Sequence, residues 1–319
     1  MERPSTLAAL SHLRTRYIYE LTKPEVLERF GQMCRERSDA EAVRCIFNNA
    51  AHEWIHSVGV SADKGLQAVV PPIPPQELRA ITAAPEPEIF LWTGLVDITS
   101  FLAIYHHYKG NAHRAKVLDF GAGCGRMIRF LNDFSEKYQP FASDVNGQHM
   151  TWCGENLKGV TCFKNGTVPP FPEKVGEKDV AGFDLIYSLS VFTHLPEVTA
   201  RKWMEEIHAR LAPGGILIFT THGDRALETI CSSETHQKMF MVTQGQAEGI
   251  RANLGRERFV YLKYPDEILQ AADAGSDYGN SFIHPDYVRR EWGRMFEELE
   301  YIPGGLRGWQ DVMVLRRRG

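Results

Sequence analysis

Hydrophobic residues recur every three or four positions through most of the first 110 residues, and this spacing is typical of helices. The clearest stretches are TLAALSHLRTRYIYEL and PEIFLWTGLVDITSFLAIYHHY. Between them lies VVPPIPPQ, whose prolines can neither continue a helix nor pair inside a sheet. We therefore expect residues 1–114 to form a helical N-terminal lid.

The spacing of apolar residues changes from residue 115 onward. Short apolar runs, AKVLDF, PFASDV, GVTCFKN, FDLIYSLS and ILIFTTHG, predict strands. Between them RMIRFLNDFSEKY, GQHMTWCGENL and EVTARKWMEEIHAR predict helices. This alternation is typical of an α/β protein with a parallel, Rossmann-like sheet covered by helices on both faces.

The alternation of strands and helices becomes irregular after Gly223. A predicted helix (RALETICSSETHQKMF), a polar Gly/Gln stretch and a β-like RFVYLKY follow one another there. We interpret residues 223–282 as an insertion that caps the substrate site. HPDYVRREWGRMFEE then predicts a helix, and LEYIPGG and WQDVMVLRRR predict two strands. Their short connection favours antiparallel pairing. The expected core is therefore residues 115–222 together with 283–319.

Composition narrows the functional classes. With 36 Lys and Arg against 40 Asp and Glu, the chain has a net charge of −4, which argues against nucleic acid as a partner. The six cysteines contain no C-x-x-C pair, and we expect reduced thiols. No uncharged apolar run approaches the ~18 residues that a membrane span needs, and the N-terminus lacks a secretion signal. We expect a cytoplasmic monomer or homodimer with no membrane partner.

The strongest motif is VLDFGAGCGR, in which Gly121, Gly123 and Gly125 form G-x-G-x-G after a predicted strand. A dinucleotide fingerprint is G-x-G-x-x-G, and its third glycine is needed for close helix packing. Here Arg126 occupies that sixth position. This disfavours NAD and FAD, so an NAD(P)-dependent oxidoreductase is the weaker alternative.

Two acidic residues indicate the type of ligand that the glycine turn would bind. Asp119 precedes the glycine turn, where a carboxylate would repel a pyrophosphate and attract an α-ammonium group. Asp144 closes the second strand, where an acid can accept both hydroxyls of a ribose. Together they indicate a ligand with an amino-acid end and a nucleoside end.

From about Phe90 to the C-terminus, the chain resembles the class I S-adenosylmethionine-dependent methyltransferases, in particular their bacterial small-molecule branch. The resemblance rests on VLDFGAGCGR, FASDVN, KNGTVPPFP, FDLIYSLSVFTHLP, LAPGGILIFTTHG and GWQDVMVLRR. It implies a seven-stranded sheet of order 3-2-1-4-5-7-6 with strand 7 antiparallel. It also implies S-adenosyl-L-methionine as the cofactor, and methyl transfer to an oxygen or nitrogen of a sugar, natural product or metabolite.

The resemblance also implies roles for individual positions. The methionine part of the cofactor would be surrounded by Asp119, Phe120, Gly121, Ala122 and Gly123. The ribose and adenine would lie against Asp144, Val145, Asn165 and Gly166, and the cleft near the sulfonium would be lined by Ser188, Leu189 and Ser190. SLSVFTHLP lacks the acidic residues that metal-dependent members place there, so we expect no metal.

Several of these positions have a structural alternative. The three glycines could simply make a tight turn, and Asp144 could cap the helix that follows it. Arg126 could hold the methionine carboxylate or could be a surface residue of a helix. At the position of Asn165 the family often has an acidic residue, whereas this chain has an amide.

The candidate catalytic residues are His194 and His222, which follow the fourth and fifth strands at the edge where open α/β sheets bind ligands. Either imidazole could take a proton from a hydroxyl acceptor, and either could be structural. A non-catalytic S-adenosylmethionine-binding partner protein is therefore an alternative function. A set of aromatic residues could wall the cleft or pack in the core: Phe90, Trp92, Tyr105, Tyr261, Tyr264, Tyr278 and Phe282.

Overall fold

A computed structural model describes residues 71–81, 86–110, 114–131, 137–267 and 277–319. The helices expected before residue 71 lie outside these ranges. Two helices of the predicted N-terminal segment are described, α1 (Gln76–Ile81) and α2 (Pro87–Lys109). Helix α2 begins with a proline and ends at Gly110, whose φ of 68° is left-handed.

Helix α2 is also long and apolar enough to cross a membrane by length and composition alone. However, 83% of its most apolar window is buried within the protein. Its apolar character is thus explained by packing, since Phe90, Leu91 and Ile98 are fully buried.

The strands, in chain order, are β1 (Ala115–Phe120), β2 (Tyr138–Asp144), β3 (Thr161–Lys164), β4 (Lys174–Val175), β5 (Lys178–Asp179), β6 (Phe183–Ser188), β7 (Leu211–Thr221), β8 (Phe259–Lys263), β9 (Gly279–Ile283), β10 (Phe296–Leu306) and β11 (Gln310–Arg317). The remaining helices are α3 (Gly147–Asn156), α4 (Glu197–Arg210), α5 (Asp224–Ser232), α6 (Glu234–Phe240), α7 (Gln244–Glu257) and α8 (Pro285–Tyr287).

Seven of these strands form one sheet in the order β10-β11-β7-β6-β1-β2-β3. Strands β1, β6 and β7 pair in parallel, whereas β11 runs antiparallel to both β7 and β10. If the seven are numbered consecutively, the order is 3-2-1-4-5-7-6 with strand 7 antiparallel. This confirms the Rossmann-like methyltransferase sheet that the resemblance implied, including its closing hairpin.

The described residues divide into two compact units, one drawn from 71–115, 122–142 and 147–162 and the other from 116–121, 143–146 and 163–319. In the first, the Arg129 guanidinium donates to the Pro72 carbonyl at 2.8 Å and lies 5.3 Å from the ring of Phe90. In the second, Phe120 packs against Trp203 with ring centroids 4.8 Å apart. Each unit therefore has buried side-chain contacts of its own.

The predicted insertion belongs to the second unit and has its own apolar cluster. The cluster consists of Leu227, Ile230, Phe240, Ala247, Ile250, Leu254 and Phe282. Strand β9 joins this cluster to the sheet, because the Ser281 amide donates to Thr193 at 2.8 Å and the Ile283 amide donates to His222 at 2.9 Å. The insertion is thus tied to the chain segments that follow β6 and end β7.

Some predicted elements differ from the structure. The helix predicted over RMIRFLNDFSEKY is a short 3₁₀ turn at Ile128–Leu131, and residues 132–136 lie outside the described ranges. The single helix predicted after Gly223 is two, separated at Ser233, whose hydroxyl accepts from the His236 amide and so starts α6. The helix predicted from His284 stops at Trp292, because β10 begins at Phe296.

Candidate functional site

The first glycine of the motif makes a tight turn at the end of β1. Gly121 has φ of +82°, and its amide donates to the Ser143 carbonyl at 2.8 Å. A Cβ added there would lie 2.1 Å from Cγ2 of Val191, a contact that real side chains do not make. Both conformation and space therefore require glycine at this position.

Asp119 lies next to Tyr187 in the parallel register of β1 and β6. Its side chain is buried, and Oδ2 accepts a hydrogen bond from the Tyr187 hydroxyl at 3.0 Å. Asp119 therefore presents a buried carboxyl group near the end of β1, just before the glycine turn.

The ends of β2 and β3 meet at Asp144 and Asn165. The Asn165 amide donates to the Asp144 carbonyl at 3.0 Å. The Asp144 carboxylate accepts from the Asn146 amide at 2.8 Å, which makes a turn two residues long before α3 begins at Gly147. The capping alternative is therefore partly right, since Asp144 orders the entry to α3 without being the residue next to it.

The side-chain amide of Asn165 is buried and has a fixed orientation. The side chain is 3% exposed, and its Nδ2 donates to the Gly166 carbonyl at 2.8 Å. Because a carbonyl can only accept, this contact fixes the amide so that Oδ1 points the other way. Oδ1 has no hydrogen-bond partner within the described part of the chain. A buried acceptor of this kind fits a ligand N–H, such as an exocyclic amino group.

The segment after β6 has a strained backbone. Ser190 has φ of 59° although it is not glycine, and its amide donates to Oγ1 of Thr220 at 2.8 Å. Its hydroxyl pairs with the Gln310 side chain, with Nε2 of Gln310 at 2.7 Å from Oγ. Strained residues of this kind cluster at ligand sites. The neighbouring Ser188 is fully buried, and its Oγ has no hydrogen-bond partner among the described residues.

His194 and His222 lie close to each other in the second unit, with ring centroids 6.3 Å apart. Nδ1 of His194 lies 2.8 Å from the Gly279 carbonyl oxygen, and its ring stacks on Tyr278 at 4.7 Å. Burial lowers the pKa of His194 below its ordinary value, an effect that the contact with Gly279 partly offsets. The imidazole is therefore neutral at pH 7.

His222 is enclosed more completely, at 3% exposed. Its ring lies 5.1 Å from Phe240, 5.7 Å from Phe282 and 6.1 Å from Trp309. Burial first, and then the neighbouring His194, lower its pKa to about 3. A base this weak suits a packing role better than proton transfer at neutral pH.

The remaining motif residues belong to the first unit. Gly123 and Gly125 have φ of 55° and 79°, so all three motif glycines adopt the left-handed conformation. Nη1 of Arg126 lies 2.7 Å from Oδ2 of Asp97 in α2, and the Arg126 side chain is 11% exposed. Arg126 therefore forms a buried ion pair, which differs from the surface helix position considered above.

Among the residues that the structure describes, no group of three or more His, Cys, Asp or Glu side chains could hold a metal ion.

A comparison with protein families decides the broad class. A sequence model of the methyltransferase domain family matches residues 93–298, which is more than half of the chain. The chain belongs to this methyltransferase domain family. The match includes the insertion and all three glycines of the motif.

The methyltransferase domain is also similar to several solved structures. One is the PH0226 protein from Pyrococcus horikoshii, at 14% identity and a TM-score of 0.44, covering 70% of this chain and 90% of that one. A second is PKMT2 from Rickettsia typhi in complex with AdoHcy, at 14% identity and a TM-score of 0.44, covering 69% of this chain and 52% of that one. A third is magnesium protoporphyrin IX methyltransferase from Synechocystis with bound SAH, at 12% identity and a TM-score of 0.45, covering 72% of this chain and 86% of that one.

Three residues that contact the candidate site residues were not predicted from the sequence, namely Tyr187, Gly279 and Gln310. Tyr187 could have been found, because it precedes Ser188 within a strand predicted to neighbour β1. Gly279 and Gln310 contact His194 and Ser190 from positions at least 85 residues away. No local pattern in the sequence signals such contacts.

Proposed function

We propose that this methyltransferase domain uses S-adenosylmethionine and transfers its methyl group to an oxygen or nitrogen atom of a small molecule. The observation that carries the proposal is the junction of β2 and β3, where a backbone hydrogen bond joins Asp144 to Asn165, whose buried Oδ1 accepts no hydrogen bond from the described residues. A carboxylate suits a ribose diol, and an unpaired acceptor suits the amino group of adenine. Asp144 and Asn165 would therefore bind the two halves of an adenosine.

The residues near Asp119 fit the amino-acid end of the same cofactor. The buried Asp119 carboxylate offers an acceptor to an ammonium group, and Gly121 lets the backbone approach a ligand closely. When bound, S-adenosylmethionine supplies an electrophilic methyl group. The protein then has to orient the acceptor and exclude water, since alignment supplies much of the rate of a displacement reaction.

A small-molecule acceptor agrees with the charge of the chain. The excess of four acidic residues gives no general attraction for phosphate backbones, which nucleic-acid enzymes need. Residues 223–282, which lie beside His194 and His222, are proposed as the substrate cap, and His194 is preferred to His222 as the catalytic residue. The proposed state is a monomer or homodimer that acts without a metal.

Titration calorimetry with S-adenosylhomocysteine tests the cofactor site. We expect saturable binding that weakens at least about tenfold, or ~1.4 kcal/mol, in Asp144→Asn. This variant keeps the turn to Asn146, because asparagine forms the same turn as aspartate. The matched control is Asp179→Asn, an exposed aspartate of β5, and it should bind as the wild type does. Equal affinity in all three proteins would overturn the proposed site.

Catalysis is tested separately from binding. Wild-type protein is incubated with S-adenosylmethionine labelled in its methyl group and with the small-molecule fraction of a cell extract. Label in a small-molecule product supports the enzyme. Cofactor binding with no labelled product in any fraction would favour the non-catalytic partner protein instead.

A further inference from the structure

A chain of hydrogen bonds from the insertion sets the orientation of an amide next to His194. Nδ2 of Asn280 donates to the Phe240 carbonyl at 3.1 Å, and Asn280 is 3% exposed. Because the Phe240 carbonyl can only accept, the Asn280 amide nitrogen must face it. Oδ1 of Asn280 therefore faces the Tyr264 hydroxyl, which lies 2.8 Å away.

This orientation determines the direction of the next hydrogen bond. Oδ1 of Asn280 is an acceptor, so the Tyr264 hydroxyl donates its proton to it. The Tyr264 oxygen then presents lone pairs to Nδ1 of His194 at 3.3 Å. Burial raises the pKa of Tyr264 to about 12, so the hydroxyl keeps its proton at neutral pH.

Two acceptors thus converge on Nδ1 of His194. The nearer is the Gly279 carbonyl oxygen at 2.8 Å, and the second is the Tyr264 oxygen. Neither can donate to Nδ1, so this nitrogen carries the ring proton of the neutral imidazole. The other nitrogen, Nε2, is left with its lone pair.

Resting on the proposed function, we propose that Nε2 of His194 is the general base of the methyl transfer and that the acceptor is a hydroxyl compound. A neutral amine already has the lone pair that attacks carbon, whereas an alcohol or phenol must lose its proton to become a strong nucleophile. A base fixed in one tautomer is therefore most useful to a hydroxyl acceptor.

The acceptor oxygen forms the new C–O bond to the methyl carbon, and the S–C bond breaks with its electron pair going to sulfur. The hydroxyl proton passes to Nε2 of His194, which becomes an imidazolium ion and releases the proton to water after the product leaves.

The groups that face His194 are consistent with this role. They are the Tyr278 ring, the Tyr264 hydroxyl and the neutral His222, and Asp144 acts electrostatically on Tyr278. Tyr264, Gly279 and Asn280 all lie within residues 223–282. The insertion therefore supplies the groups that set the protonation of the base, in addition to covering the site.

Nuclear magnetic resonance of protein labelled with ¹⁵N-histidine tests the tautomer directly. The His194 signals are assigned by their loss in His194→Gln. At pH 7 we expect the neutral ring with its proton on Nδ1. Tyr264→Phe removes one acceptor and should increase the fraction with the proton on Nε2. Tyr261→Phe, the same change in β8, should leave the ratio as it is. A wild-type ring with its proton on Nε2 would overturn the proposal.

Two cofactor analogues test whether Nε2 faces the transferred group. Sinefungin carries an ammonium group where S-adenosylmethionine carries its methyl group, and S-adenosylhomocysteine carries nothing there. A like charge near Nε2 should lower the pKa of His194 by about 1 unit or more with sinefungin relative to S-adenosylhomocysteine. Binding of both analogues with the same His194 pKa would overturn this inference alone. Failure of both to bind would overturn the proposed function, and the inference with it.

Discussion

Nη1 of Arg126 lies 2.7 Å from Oδ2 of Asp97, and the Asp97 side chain is fully buried. The contact joins the glycine motif to α2 within the first unit. Gly94, one turn before Asp97, allows this approach, because a Cβ there would lie 2.1 Å from the Arg126 carbonyl oxygen. The ion pair and the glycine together hold the backbone of the motif against the helix.

Asp97→Ala should lower the free energy of unfolding by about 3–5 kcal/mol, because removing one partner of a buried ion pair leaves the other charge uncompensated. Urea denaturation measures the change. The control is Asp179→Ala, whose partner Lys174 and own side chain are 64% and 69% exposed. Exposed pairs contribute little, so the control should lose no measurable stability. Equal losses in both variants would contradict this account.

Gly121→Ala tests the turn after β1. Two effects add at this position, the left-handed backbone and the contact with Val191. Gly182→Ala isolates the first effect, since Gly182 has φ of +71° and an added Cβ there would meet nothing within 4 Å. We expect a loss of about 1–2 kcal/mol for Gly182→Ala and a larger loss for Gly121→Ala.

A second substitution separates the two effects at Gly121. Val191→Ala removes the Cγ2 atom that the new Cβ would meet. In the double variant, Gly121→Ala should therefore cost little more stability than Gly182→Ala does in the wild type. The free energies of unfolding of the four proteins give the coupling. If the double variant is no more stable than the sum of the single variants predicts, the contact is not the cause.

The positions of the sheet strands could be predicted because they are short apolar runs between glycine and polar residues, whereas their order in the sheet was implied by the family resemblance. The run AKVLDF, for example, has the same bounds as β1. The same local signal located Asp119 and Asp144, since each lies in such a run, whereas Asn165 was expected from the family resemblance. Sequence patterns therefore predicted which residues lie along the expected site.

Longer-range features could not be predicted in the same way. Helix α7 contains three glycines, which have low helix propensity, yet Ala247, Ile250 and Leu254 are spaced to face one apolar cluster. Tertiary packing outweighs local propensity there. The contact of His194 with Gly279 joins residues 85 positions apart, and hydrophobic periodicity carries no information about such pairs.

Asn165→Ala tests the adenine contact. Removing one hydrogen bond to a neutral donor should weaken S-adenosylhomocysteine binding by about 0.5–1.5 kcal/mol, or about two- to tenfold. S-inosylhomocysteine, which has a carbonyl oxygen in place of the amino group, should bind the wild type more weakly, because two acceptors then face each other. The preference between the two ligands should shrink in Asn165→Ala. An unchanged preference, measured by calorimetry, would place the amino group elsewhere.

His222→Phe tests the pH dependence of stability. The pKa of His222 in the folded protein is about 3, below its ordinary value of 6.5. Between these two pKa values the unfolded chain binds a proton at His222 and the folded protein does not. The stability that the neutral ring contributes is therefore complete above about pH 6.5 and decreases as the pH falls toward 3. Phenylalanine keeps an aromatic ring beside Phe240, Phe282 and Trp309 and has no proton to gain, although it loses the contact of His222 Nε2 with Gln310.

The difference between the two proteins isolates this single group from the carboxylates, which titrate in both. The free energy of unfolding of the wild type relative to His222→Phe should fall by about 1.4 kcal/mol per pH unit between about pH 6 and pH 4. Denaturation curves at several pH values in this window measure it. Parallel curves for the two proteins would mean that His222 is protonated in the folded state, and that the aromatic rings around it do not exclude its charge.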